Sequence, residues 1–172
     1  MGYHWVQDAG GAAFTLMAGP DTPALQDFYP EDVAHCYGCG RLNEAGLRLR
    51  TRWDGEMTVT RFTPASYHTA MPGSVYGGLV ASLLDCAGTG SASAAALRAE
   101  GREIGDGPSP RFVTAALKVD FLKPTPLGPT LEIRGRIVEI KGRKVVVEET
   151  LSADGVVTAT GHVVAVRLRD DT

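Results

Sequence analysis

The sequence predicts an α+β fold in which an antiparallel sheet packs on one long helix. Three observations carry that prediction. From Gly77 to about Glu100 the chain is nearly free of charge, opened by a glycine pair and closed by Gly101. Before it come two short strand-like segments, Leu47 to Trp53 and Met57 to Phe62, separated by the turn signal Asp54-Gly55. After it come four more: Phe112 to Leu122, Thr130 to Ile140, Lys144 to Ser152 and Val156 to Leu168. Runs such as Val145-Val146-Val147 favour strand over helix, and Gly142 and Asp154-Gly155 mark short turns between neighbours.

The chain has 172 residues, enough for one domain with a full-sized core, and 44% hydrophobic with 22% charged residues is an ordinary globular balance. The net charge is -3 with Lys and Arg scattered, so no nucleic-acid partner is expected. No apolar run reaches bilayer length and no basic, apolar leader opens the sequence, so no membrane span and a cytoplasmic location are expected. Cys36, Cys39 and Cys86 are an odd set, which argues against a disulfide framework.

Residues 1–30 are rich in Gly, Ala, Pro and Asp without a sustained period. They read as an N-terminal extension that crosses the body or a partner subunit, leaving 31–172 as the domain. Cys36-Tyr37-Gly38-Cys39-Gly40 is half of a zinc-type pattern with His35 beside it. Spacing supplies no second pair of ligands, so the expectation is a tight glycine turn with two packed thiols and no metal or other cofactor. Residues 63–73 hold two prolines and read as a loop. In the helix, Ala87, Gly88, Gly90, Ser91, Ala92, Ser93 and Ala94 lower intrinsic helicity but admit other backbone at close range. A sheet wrapped tightly around the helix is therefore expected.

One carboxylate, Asp85, interrupts the apolar helix, and a buried aspartate is costly unless something pairs with it or uses it. At the helix start the backbone N–H groups are unpaired and carry partial positive charge, so the Gly77 N–H suits a carbonyl oxygen that becomes negative during acyl transfer. Eight residues of helix place the two about 12 Å apart. A two-fold dimer with paired helices would bring Gly77 of one chain towards Asp85 of the other. Thr89 lies one turn beyond Asp85 on the same face, where its hydroxyl would hold a water. His68 would line the mouth of the site, and His162 reads as a core or interface histidine. The bland alternatives are a carboxylate satisfied by backbone donors and a strained loop before a helix.

From about Glu31 to Val166 the sequence resembles the hotdog-fold acyl-CoA thioesterases of the PaaI-like group, near the thioesterase superfamily members. The resemblance rests on Cys36-Tyr37-Gly38-Cys39-Gly40 with Asn43 and Gly46-Leu47, and on Pro72-Gly73-Ser74-Val75-Tyr76-Gly77-Gly78 with Asp85. Val113 to Val119, Phe121-Leu122-Lys123-Pro124 and Gly142-Arg143-Lys144 complete it. It implies a hotdog sheet around the helix, hydrolysis of an acyl- or aryl-CoA, and a homodimer or dimer of dimers. By the same resemblance Gly77 is the backbone donor to the thioester carbonyl and Asp85 the nucleophile or general base. Thr114 matches a threonine implicated in related enzymes, and Thr89 a water-holding hydroxyl. Tyr76, Gly78, His68 and Pro124 would border the substrate. Lys123, Arg143 and Lys144 would lie along the nucleotide phosphates of coenzyme A, unless they are ordinary solvated turn charges.

The chain departs from the family twice. Tyr76 stands where histidine usually precedes the glycine pair, and Ala70 where Asn or Gln is frequent. With an ordinary pKa near 10, a tyrosine does not replace imidazole as a base near neutrality. Those departures keep open a non-catalytic acyl-CoA binding or sensing protein as the alternative to an enzyme. A hotdog dehydratase is disfavoured because the helix carries no histidine.

Overall fold

A helix nearly free of charge and rich in small and apolar side chains cannot stand against solvent, and the sheet closes around it. The computed structural model describes residues 3–7, 14–18 and 22–169. In chain order these form β1 (Tyr3–Gln7), β2 (Phe14–Ala18), two short 3-10 turns (Leu25–Phe28 and Glu31–Val33), β3 (Thr51–Asp54), β4 (Met57–Phe62), β5 (Thr69–Met71), β6 (Ser74–Val75), α1 (Gly77–Ala99), β7 (Phe112–Phe121), β8 (Leu131–Lys141), β9 (Lys144–Ala153) and β10 (Val156–Arg167). Six strands make one antiparallel sheet in the order β3-β4-β8-β9-β10-β7. Helix α1 lies across its concave face, touching all six. The chain thus has the hotdog architecture, a long helix held in a curled sheet. β1 pairs with β2, and β5 with β6, as separate hairpins.

The helix begins at extended Tyr76 without a side-chain cap and stops at Gly101, whose φ of 72° ends the right-handed run. Leu79, Val80, Leu83 and Leu84 pack with Leu25, Leu49, Leu131, Ile133 and Leu151 in the main core. Ala92, Ala95 and Ala96 meet Phe112, Val147 and Val163 further along. Close approach needs the small residues: a Cβ on Gly88 would lie 2.6 Å from a Val163 methyl, and one on Gly90 2.5 Å from Thr51 Oγ1. The buried hydroxyls of this contact bond one another, Ser91 with Thr58 at 2.6 Å and Thr51 with Thr60 at 2.9 Å. None of these is left as an unpaired polar group in the core.

Four expectations change in detail. The first strand starts at Thr51 rather than Leu47, because the N–H groups of Leu47 and Leu49 donate to Tyr37 O and Gly38 O in the cysteine turn instead of to β4. The proline-containing loop holds the β5–β6 hairpin. Within 1–30, the described residues include the β1–β2 hairpin, and from residue 22 on the chain packs into the body: Leu25 and Tyr29 are buried, and Gln26 accepts from Thr51 N and donates to Thr51 Oγ1. The expectation for 1–2, 8–13 and 19–21 lies outside the described residues. His162 is not a core histidine. It is exposed on the outer face of the sheet, opposite Glu148 in register, because Gly161 and Val163 take the helix-facing positions.

Val163 is stiff at its branch point, so it cannot step aside for a new methyl group at position 88. Gly88→Ala should destabilise by about 1–3 kcal/mol despite alanine's better helix propensity. Urea unfolding should show a smaller cost for the same change in a Val163→Ala background. An equal cost in both backgrounds would mean that the helix and sheet do not touch there.

Candidate active site

Asp85 projects from the helix stripe nearest β7, the outermost strand of the sheet. Thr114 on that strand donates its hydroxyl to Asp85 Oδ1 at 2.5 Å. A bulge fixes this geometry: Ala116 pairs with Val164 while Thr114 pairs with Ala165, so Ala115 is an extra residue. Thr114 therefore turns inward just where the helix passes. Asp85 is half-buried rather than fully buried as the apolar run implied, since among the described residues no further strand lies beyond β7.

Two turns back along the helix, about 12 Å away at 1.5 Å per residue, the N-terminus is open. Tyr76 O accepts from Leu79 N and Val80 N, and no side chain caps the first turn. The Tyr76 ring lies over Gly78, where any Cβ would fall 2.4 Å from it. Phe121 closes on Gly77 from β7, 3.6 Å from the position of a Cβ. His68 O accepts from Tyr76 N, while the His68 ring accepts from Ala65 N through Nδ1 and meets Tyr67 edge-on. Thr125 O accepts from Val75 N, which ties the exposed Lys123-Pro124 segment to the same end of the helix. Tyr76, Gly77, Gly78, His68, Lys123 and Pro124 are therefore neighbours.

The other expected site residues lie elsewhere. Thr89 is buried and donates to Asp85 O and Cys86 O of its own helix, so its proton is engaged with backbone rather than with the Asp85 carboxylate. Arg143 and Lys144 sit on the β8–β9 hairpin beside the Phe112 end of β7, the opposite end from Lys123. Arg143 donates to Arg167 O and Lys144 pairs with Glu139 at 2.8 Å. Within one protomer the three cations do not converge.

A further carboxyl escaped the sequence reading. Glu149 lies on β9 between Gly135 and Gly161 of the flanking strands and is 3% exposed. Neither carboxyl oxygen has a hydrogen-bond partner among the described residues. Desolvation by burial first, and the charge of Asp85 second, push the Glu149 carboxyl well above its ordinary value of 4.5. Burial thus favours the protonated form of Glu149 behind Asp85. The strand alternation Val145, Val147, Glu149, Leu151, Ala153 puts it on the helix-facing side and was the signal available in the sequence.

The thiols also regroup. Helix residue Cys86 meets the C-x-x-C turn, with Cys36 and Cys86 sulfurs 3.8 Å apart. The Cys39 and Cys86 thiols pull the Cys36 thiol far below its ordinary value of 9.0, and Cys86 is pushed up in turn. His35 is exposed and contributes only its carbonyl, which accepts from Asn43. A groove of about 380 Å³ lies on the other side of the sheet, lined by Lys118, Arg134, Arg136, Glu148 and His162.

The model of the thioesterase superfamily matches residues 72–160, which span both ends of this site. A thioesterase superfamily protein from Shewanella loihica is 51% identical, over 80% of this chain and 97% of its own, with a TM-score of 0.62. The Escherichia coli PaaI protein from the phenylacetic acid degradation operon shares the fold at 19% identity, over 72% of this chain and 81% of its own, TM-score 0.57. So does a Streptococcus mutans protein solved bound to acetyl CoA, at 19% identity over 74% and 96%, TM-score 0.56. No curated protein matches the sequence.

The raised Glu149 pKa fixes a sign for stability. Between 4.5 and the higher folded value, the native state holds a proton that the unfolded chain has lost. Stability therefore falls as pH rises through that window, by up to about 1.4 kcal/mol per unit. Glu149→Gln should remove that slope, so its melting temperature gains on the parent from pH 5 towards pH 8. Parallel curves for the two proteins would mean that Glu149 is ionised in the fold.

Proposed function

The chain belongs to the thioesterase superfamily, and from that premise we propose that it hydrolyses an acyl- or aryl-CoA thioester. The observation that carries this reading is the Thr114–Asp85 hydrogen bond at the open edge of the sheet, within two turns of a bare helix N-terminus. Thr114 engages one carboxylate oxygen and leaves the other free to take a proton from water. That water attacks the thioester carbonyl, and the oxygen that becomes negative is held by the Gly77 N–H. The carbon–sulfur bond breaks, coenzyme A leaves as its thiol after taking up the proton, and a carboxylic acid remains. Direct attack by Asp85 would pass through a mixed anhydride and give the same products. No cofactor enters either route.

One protomer does not close this site, and we assign its other half to a second copy. Leu117, Phe121 and Leu122 leave apolar surface exposed along β7, with Tyr76 beside them. Antiparallel pairing along this free edge would cover that surface. It would also bring Gly77 of one protomer towards Asp85 of the other, and Lys123 towards the partner's Arg143–Lys144 hairpin. The basic groups would then flank coenzyme A phosphates, in keeping with the acetyl CoA bound by the Streptococcus mutans neighbour. A dimer of dimers is compatible with the same edge.

Asp85→Asn should keep the fold and lower turnover of an acyl-CoA panel by about 10²–10⁴-fold, with much less change in binding of a non-hydrolysable analogue. Undiminished turnover would make Asp85 structural and leave an acyl-CoA binding protein as the reading. Tyr76→His, which restores an imidazole before the glycine pair, should raise turnover without moving the melting temperature much.

The shared-site arrangement has its own test. Leu117→Arg should yield monomers in sedimentation and lose hydrolysis, although Asp85 and Thr114 are untouched. A fully active monomer would eliminate that arrangement.

A further inference from the structure

Cys36, Cys39 and Cys86 come from two parts of the chain, yet their sulfurs all lie within 4.8 Å of one another. All three are free thiols. Among the described residues no other group of three or more His, Cys, Asp or Glu side chains meets at such range. The Cys36–Cys86 separation is 3.8 Å. A tetrahedral ion with metal–sulfur bonds of about 2.3 Å holds two sulfurs about 3.8 Å apart.

The surroundings are built to hold this arrangement. The turn closes through Gly40 N donating to Cys36 O at 2.8 Å. Gly38 is pressed onto the helix at this point: a Cβ there would fall 2.2 Å from Cys86 Sγ. Gly40 is equally confined, with Cys36 N and O 2.5 Å from its Cβ position. On the far side Arg111 donates to Cys39 Sγ at 3.5 Å and lies over the Tyr29 ring at 4.9 Å. Three thiolates and a divalent ion carry one net negative charge, which the Arg111 guanidinium balances. Tyr29 is 2% exposed and its hydroxyl has no hydrogen-bond partner among the described residues.

We propose that Cys36, Cys39 and Cys86 form a three-thiolate site for a single zinc ion, with a water in the fourth position bonded to the Tyr29 hydroxyl. The ion ties the loop that precedes β3 to the helix one residue after Asp85. Its role is structural, because the sulfur cluster is packed against the loop and Arg111 rather than along the open β7 edge. Binding releases the thiol protons, so it strengthens as pH rises.

The test reads metal content and does not depend on hydrolysis. Protein produced without a metal-affinity tag in zinc-supplemented medium should carry about one zinc per chain by elemental analysis. Apo-protein titrated with cobalt under reducing conditions should develop sulfur-to-cobalt charge-transfer absorption, saturating at the same stoichiometry. Cys36→Ser and Cys86→Ser should each lose the metal, and Asp85→Asn should keep it. A strong chelator should lower the melting temperature of the parent but not of Cys36→Ser. Three freely titratable thiols with no cobalt absorption would overturn the proposal, and so would a Cys36–Cys86 disulfide in protein purified under reducing conditions. If Cys86→Ser does not fold, cobalt titration of the parent decides the matter alone.

Discussion

The closeness with which the sheet meets α1 governs everything else in this molecule. A helix with side chains of ordinary size would hold the strands at a distance, and the hydroxyl contacts Ser91–Thr58 and Gln26–Thr51 would not form. Gly88 against Val163 and Gly90 against Thr51 set the separation. Because the sheet curls round the helix, its last strand ends beside the helix flank rather than over it. That edge is where the only carboxylate of α1 meets a partner, Thr114.

The electrostatics follow from the same enclosure. Asp85 lies half-buried at the edge of the sheet. Glu149 lies deeper, against the helix, with no donor among the described residues, and its burial favours the protonated form. Two carboxyls in one region thus differ in surroundings, one at the rim and the other in the core.

The cysteine turn shows a third consequence. Ala34, Cys39 and Leu49 of this segment join the main core with α1, and Leu47 and Leu49 pair with the turn rather than extending β3. The loop is thereby fixed one residue from Asp85, so the order of a solvent-side segment and the position of the site residue are coupled through Cys86.

The sequence by itself determined the elements and singled out Gly77 and Asp85 as candidates for a site. The uncharged run, Gly101, and the turns at Gly142 and Gly155 are local signals, and they placed the helix and the last four strands within a residue or two at each end. Gly77 and Asp85 were legible because a glycine pair and a lone carboxylate stand out in an apolar helix. What only the tertiary structure decided are relations between residues far apart in the chain. Spacing could not show that Cys86 joins Cys36 and Cys39, that Glu149 loses every hydrogen-bond donor behind Asp85, or that Thr89 turns to its own backbone. Nor could it show that Lys123 and Arg143 occupy opposite ends of the strands. Local sequence fixes backbone conformation through sterics and hydrogen bonding within a few residues. Contacts across the sheet depend on register and on the bulge at Ala115, which arise only when the strands assemble on the helix.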